Sequence, residues 1–293
     1  MDGVIVVDKP VDWTSHDVVG KMRRIAKTKR VGHLGTLDPL ATGVLPLVIN
    51  RATRLAQFFT KSDKVYEALI RFGQATNTYD SEGEPVGEPV SVALDAQMLE
   101  RSLDQFRGVI QQMPPAVSAK KINGVPAYKL ARQNKPVELK AIEVTIHELE
   151  LLECGSDFAR VRVHCSAGTY IRSIAHDLGQ KLGCGAHLAA LRRTRAGIFS
   201  VEQARTLTEL AEMSAADRLE EALVPAAAML PEFPSERVDA LTAGFIRHGR
   251  DFRVNPFRVA QNTPYVRAVD ESGMLVAIGQ VKLPNLYHPV LVL

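Results

Sequence analysis

Cysteine is scarce. Cys154, Cys165 and Cys184 are the three in 293 residues, 11 and 19 positions apart, with no CxxC. That spacing argues against a disulfide scaffold and a structural zinc site, and it fits a reducing compartment. Long apolar runs are missing too. None approaches the ~18 residues of a membrane span, and the chain opens MDGVIVVDKP, with acid where a secretory leader would carry base. The expectation is a soluble, cytoplasmic protein. Aromatic residues make up 6%, too few to suggest a base-stacking sheet of the RNA-recognition-motif kind. Neither GxGxxG nor GxxxxGK[ST] occurs, so no nucleotide cofactor is expected. HExxH, the HxE…PCxxC set of zinc deaminases and the GxSxG elbow are absent as well, and no metal is expected.

What remains is an ordinary globular composition, 46% hydrophobic and 24% charged, long enough for one large domain with a small satellite. The net charge of +3 is mild; its placement says more. Residues 21–30 hold Lys21, Arg23, Arg24, Lys27, Lys29 and Arg30 without an acid. Between Gln105 and Val137 stand Arg107, Lys120, Lys121, Lys129, Arg132 and Lys135, again without an acid. Arg192, Arg193 and Arg195 form a third cluster, and Arg247, Arg250, Arg253, Arg258 and Arg267 a looser fourth. Acids collect instead in DSEGEPVGE and EVTIHELELLE. Any one cluster reads as a solvated face, but four together point to a polyanion, since phosphate contacts come from local Lys and Arg.

Hydrophobic spacing predicts a strand over Val4–Val7 and a helix after Thr14 and Ser15, with Val18, Val19, Met22, Ile25 and Ala26 inward. The run VGHLGTLDPLATGV reads as too irregular for either element. An apolar run from Val44 to Ile49 and a short helix from Thr53 to Phe59 follow. Lys64–Gly73 alternates as a strand with Tyr66, Ala68, Ile70 and Phe72 on one face. A Gly/Pro/acid loop spans Thr76–Glu88, and residues 95–107 suit a helix facing inward with Met98, Leu99, Leu103 and Phe106. Strands are predicted at Ile142–Leu152 and Phe158–Cys165, then a helix near Thr169–Leu182 closed by Gly183. Pro225, Pro231 and Pro234 suggest a linker. Beyond it come one short helix, Leu241–Arg247, and strands such as Tyr265–Val269 and Leu275–Val281. The domains expected are 1–228 and 232–293, without internal repeats.

Chemistry concentrates in Gly32–Gly43. Its glycines let the backbone turn sharply and approach a ligand, and its one acid is Asp38. Asp-Pro ordinarily only starts a turn. Here, however, His33, Thr36 and Thr42 flank the carboxylate, directly after the most basic helix. A lone carboxylate in a cationic groove can be a nucleophile, a general base or a partner for an oxocarbenium-like sugar.

The run GHLGTLDPLATGVLP resembles the signature of the bacterial tRNA pseudouridine-55 synthases, the TruB family. GVIVVDKPVDWTSHDVV is similar to that family's opening strand and KPxGxTSxDxV segment. KVYEALIRFGQATNTYDSEG, MPPAVSAKKINGVPAYKLAR and SAGTYIRSIAHDLG resemble its later blocks in the same order. Asp12 stands where the family usually has Gly, Asn50-Arg51 replaces Gly-Glu, Arg54 replaces Lys, and Asn77 replaces an Asp.

The resemblance implies an α+β fold: a mixed, largely antiparallel sheet with flanking helices, an RNA-clamp insertion at about 107–137, and a small, mostly-β, PUA-like C-terminal domain that extends the groove. It implies catalysis by Asp38, with Arg172 as its ionic partner and Tyr66 against the base. Its candidate substrate and RNA contacts are His33, Asp80, Lys9, Arg24, Lys120, Lys121, Tyr128, Arg132 and Arg192. The reaction would detach an everted uracil from C1′, rotate it and rejoin it through C5, with no cofactor. Whether Asp38 attacks C1′, attacks C6 or removes a sugar proton is left open. The partner implied is the tRNA T-arm, bound by a monomer. Two rival readings are a non-catalytic tRNA-binding or folding protein, which has no need of Asp38, Tyr66 and Arg172, and a nucleoside hydrolase or glycosidase, which would want a second acid nearby.

Overall fold

The computed structural model describes residues 1–115, 140–260 and 263–293, and the backbone of 121–122 and 125–126. The chain runs β1 (Gly3–Lys9), α1 (Ser15–Ile25), β2 (Val31–His33), β3 (Ala41–Ile49), a 3-10 helix (Asn50–Phe59) and β4 (Lys64–Phe72). A small hairpin, β5 (Ala75–Thr76) and β6 (Pro85–Val86), precedes α2 (Ala96–Leu103) and β7 (Gly108–Gln112). After β8 (Lys121–Ile122) and β9 (Val125–Pro126) come β10 (Ile142–Cys154), β11 (Phe158–Cys165), α3 (Ile171–Lys181), β12 (Ala186–Ala196) and β13 (Phe199–Ser200). α4 (Leu207–Ala215) and β14 (Leu223–Pro225) complete the first layer set. The rest comprises β15 (Ser235–Arg237), α5 (Ala240–Arg247), β16 (Phe252–Arg253), β17 (Tyr265–Val269), β18 (Leu275–Leu283) and β19 (Leu286–Val292).

The main sheet has the order β14-β1-β3-β12-β4-β11-β10-β7, with β2 added on β3 and β13 on β12. Its pairings are antiparallel except β3–β12, which is parallel. The mixed, largely antiparallel sheet with flanking helices is therefore as expected. β4 reads straight from its sequence: Tyr66, Ala68, Ile70 and Phe72 are buried and the residues between them are half-buried, because side chains alternate faces with period two.

Each face of the sheet carries a core. On one, α1, α2, α3 and α4 pack Val18, Met22, Leu99, Ile174, Leu178 and Leu210 against Ile5, Val7, Leu45, Leu47, Ile70 and Val161. On the other, the Asn50–Phe59 helix and the C-terminal sheet, ordered β15-β17-β18-β19-β16, bury Leu55, Phe59, Leu275, Ile278 and Leu291 against Val4, Val6, Val44 and Val48. At about 1.5–3 kcal/mol per fully buried large aliphatic side chain, this second core firmly attaches the C-terminal unit. Phe58, Phe233 and Tyr265 interlock at 5.2–5.6 Å across the same junction.

Several local expectations change. The glycine run is not irregular throughout, since its ends join β2 and β3 and only about 34–40 form the loop. The 50–59 helix starts earlier and is 3-10 in form. Met98 is exposed, whereas Leu99, Ser102 and Leu103 form the buried face of α2. The first linker proline, Pro225, instead ends β14, an edge strand paired with β1.

Two of the noted departures sit where glycine would be natural. Asp12 and Asn50 have φ of 65° and 52°, and Asp and Asn are the non-glycine residues that best tolerate this region. Asn50 also accepts from Thr28 Oγ1 at 2.6 Å and donates to the Met1 carbonyl at 2.7 Å, while Arg51 clasps Asp2. Arg54 donates to the Val292 carbonyl, bridging to the C-terminal sheet. Asn77 accepts from the Glu84 backbone and closes the β5–β6 turn.

Candidate active site

Asp38 lies in the turn between β2 and β3, and the opening segment of the chain holds that turn in place. Thr14 caps α1 in a reciprocal capping box with Asp17, which places the buried Ser15 hydroxyl against Leu37. The Leu37 N–H donates to Ser15 Oγ at 2.8 Å, and Ser15 Oγ donates to the Leu37 carbonyl at 3.0 Å. Lys9 Nζ donates to the Pro39 carbonyl at 3.1 Å, and the Asp12 N–H to the same oxygen at 3.0 Å. From the other side, Arg193 donates to the carbonyls of Val44 at 2.7 Å, Gly35 at 3.1 Å and Thr36 at 3.3 Å. Gly43 lets this happen: with φ 96°, a Cβ there would lie 2.2 Å from the Arg193 carbonyl oxygen. The loop is clamped at both ends, with its carboxylate left free to project.

That carboxylate opens into a cavity of about 290 Å³, lined also by Lys64, Tyr66, Ser166–Arg172, Leu191 and Arg193. Arg172, in the first turn of α3, is buried and places Nε 3.0 Å from Asp38 Oδ2. Its Nη1 reaches Asp80 Oδ2 and the Thr78 carbonyl, both at 3.2 Å. Asp80 is buried, accepts from Thr78 Oγ1 and the Glu82 N–H, and does not line the cavity. The Asp38 side chain keeps 37% of its surface because it faces the cavity, yet protein surrounds it on its other sides. Burial pushes its carboxyl above the usual range and the Asp80 charge adds to this, while Arg172 and then Lys9 limit the rise. Tyr66 is buried beside Arg193, and burial raises its phenol, so the ring is neutral at ordinary pH.

The structure brings Asp38, Arg172 and Tyr66 together at one cavity. Other candidates fall differently. Lys9, expected to meet RNA, is wholly buried and props the Asp38 loop; burial lowers its ammonium to about 8. Asp80, expected at the substrate, stands behind Arg172. His33 is half-buried on β2, outside the cavity lining, with Nδ1 buried and unpartnered; burial first and Arg193 second keep it neutral. Arg192 pairs with Asp8 at 2.8 Å and lines a neighbouring groove of about 740 Å³ together with Trp13 and Lys21. Arg24 is exposed and lines an adjoining depression of about 400 Å³. Lys120, Tyr128 and Arg132 lie outside the described residues, as does the side chain of Lys121. Of the fourth basic cluster, Arg267 is occupied internally, donating to the carbonyls of Phe233 and Ala227.

Lys64 was not singled out, and Arg193 was read only as a member of a basic cluster, whereas it is buried against the Asp38 loop. Period-two alternation was the available signal for Arg193, since it shares the buried face of β12 with Leu191, whereas Arg192 points away.

The model of the "TruB family pseudouridylate synthase (N terminal domain)" matches residues 23–171, and that of the "tRNA pseudouridylate synthase B C-terminal domain" matches 172–231. A tRNA pseudouridine synthase B of Solibacter usitatus is 61% identical over the full length of both chains. That of Thermobifida fusca is 48% identical over 87% of each. Among solved structures, a Cbf5-Nop10-Gar1 complex matches with TM-score 0.72 and 28% identity, covering 97% of this chain and 79% of that one. An H/ACA RNP bound to a substrate RNA containing 2′-deoxyuridine matches with TM-score 0.72 and 26% identity, over 98% and 83%. The chain belongs to the TruB family of pseudouridylate synthases.

Proposed function

We propose that this protein isomerises a uridine of tRNA to pseudouridine, with Asp38 as the catalytic carboxylate and uridine 55 of the T-arm as its target. The observation that carries this reading is the Asp38–Arg172 pair: a projecting carboxylate, 3.0 Å from a buried guanidinium, on the wall of a nucleoside-sized cavity. Relatives named tRNA pseudouridine synthase B supply the substrate class.

The chemistry is balanced without a co-reactant. The C1′–N1 bond breaks and a C1′–C5 bond forms; C5 loses a proton and N1 gains one. The uridine is stacked within the folded RNA, so it must first be everted, at a cost of about a few kcal/mol. Basic residues repay that cost through phosphate contacts. Asp38 acts ionised, whether its oxygen attacks the sugar carbon or the base or takes a sugar proton, and Arg172 stabilises that charge in the pocket. Tyr66, a neutral ring on the cavity wall, packs against the base.

The exposed Arg24 and the groove holding Lys21, Trp13 and Arg192 suit the RNA backbone beside the cavity. The acid-free stretch 107–137 is assigned as the clamp, and 232–293 as a PUA-like RNA-binding domain beside a catalytic unit of 1–228. The protein works as a cytoplasmic monomer. No helix among the described residues is long and apolar enough to cross a membrane.

A T-stem–loop RNA incubated with the protein tests the assignment. Product of unchanged mass containing pseudouridine is expected. Released uracil would mean a hydrolase, and bound but unconverted RNA a binding protein.

A further inference from the structure

We propose that Asp63, His147 and His164 bind a divalent transition-metal cation of the zinc type on the outer face of the main sheet. His147 Nε2 lies 3.4 Å from Asp63 Oδ2, and His164 Nε2 lies 3.8 Å from the same oxygen. One ligand atom from each of the three residues falls within 4.8 Å of the others. A tetrahedral zinc with bonds of about 2.0–2.1 Å needs its ligand atoms roughly 3.3 Å apart. One edge of that tetrahedron is nearly in place and a second is close. The third closes by side-chain rotation, for which these partly exposed residues have room.

The backbone builds this juxtaposition. Asp63 immediately precedes β4, His164 lies in β11 and His147 in β10, which are neighbouring strands. In β10 the register passes from Ile146 opposite Cys165 to Glu148 opposite His164, so His147 is the extra residue of a β-bulge. Without it, alternation would put residues 146 and 148 on the same face. With it, Ile146 and Leu149 both point into the core, and His147 joins His164 outside. The rings then meet at 4.8 Å between centroids, tilted by 47°. Two imidazoles and a carboxylate are a donor set zinc accepts, with a fourth position open to water. Spacing rules could not find it, since the ligands stand 84 and 17 positions apart in sequence.

A competitor sits at the site. The exposed Arg195 guanidinium places Nη2 3.3 Å from His164 Nε2, and it must swing away before that nitrogen can ligate. The ligands also touch the ends of two cavity walls, because Lys64 follows Asp63, and Cys165 then Ser166 follow His164; Lys64 and Ser166 both line the Asp38 cavity. A bound cation would therefore staple β4, β10 and β11 together next to the cavity, independently of the isomerisation.

The test uses the full chain, stripped with a chelator and titrated with Zn²⁺ alone by calorimetry, and with Co²⁺ by visible absorption. One equivalent of Zn²⁺ should bind, Co²⁺ should give the intense absorption of a four- or five-coordinate ion, and the thermal midpoint should rise with free Zn²⁺. His147→Gln and His164→Gln should each weaken binding by at least about tenfold, and Arg195→Gln should tighten it. His147 is exposed, so the metal-free midpoint of His147→Gln should match that of the parent. Absence of binding in the parent chain, or binding that survives the double His147→Gln, His164→Gln change, would overturn the proposal.

Discussion

Asp80 grips Arg172 from outside the cavity: its Oδ2 lies 3.2 Å from Nη1, while Nε of the same guanidinium reaches Asp38 at 3.0 Å. Two carboxylates thus share one buried cation, and the residue that holds Arg172 from behind is separate from the one that faces the cavity. Asp80→Asn should therefore lower kcat by at least about tenfold while KM for tRNA moves by less than about threefold. The fold should lose about 1–3 kcal/mol, the usual cost of disturbing a buried charged hydrogen bond. Steady-state kinetics with thermal unfolding check both. A rise in KM alone would place Asp80 at the RNA.

Asp38 and Lys9 should set opposite limbs of the pH profile. Burial holds the Asp38 carboxyl above 3.8, so activity should fall as pH drops through that raised value and the reactive anion is lost. Lys9, lowered to about 8, loses the charge that braces the loop and favours the anion, so activity should also fall above about 8. Unfolding does not explain that second loss. The folded chain holds the Lys9 proton less tightly than the unfolded one, so this group makes the fold more stable as pH rises from about 8 to 10.5. A pH–rate profile of Lys9→Met, at whatever rate remains, should lack the alkaline limb.

How much of this was legible beforehand differs residue by residue. The face of β4 that presents Tyr66 follows from alternation, and the Asp38–Arg172 partnership follows from family motifs. Lys9 was a candidate RNA contact, and only the fold reveals that Pro39 passes over it and that it is buried. Asp80 became a candidate contact through the family resemblance; its grip on Arg172, 92 positions away, is visible only in the fold. The His147 bulge breaks a pattern that looked regular, and bulges are set by neighbouring strands more than by their own residues.

Arg193 should be among the least replaceable residues in the chain. Its guanidinium binds three carbonyls on both sides of the Asp38 turn. A lysine offers a single nitrogen, which cannot span that set. Arg193→Lys should cost at least about 2 kcal/mol and most of the activity, read by denaturant unfolding and a single-turnover assay. Arg192→Lys, a strand neighbour facing outward, should leave stability within about 0.5 kcal/mol.

Binding of tRNA should be led by phosphate contacts. Affinity should fall at least about tenfold between 50 and 200 mM salt, with a linear log–log slope. Arg24→Ala should make that slope shallower, checked by filter binding across a salt series. A flat response in the unmodified protein would contradict a phosphate-led interface.

The most direct test compares Asp38→Asn with the parent chain in single-turnover pseudouridine formation at matched RNA occupancy. The account requires affinity within a few fold, a thermal midpoint no lower than the parent's because a desolvated charge has been removed, and no detectable product. Product formed at a rate near the parent's would contradict it, and so would loss of RNA binding in a folded variant.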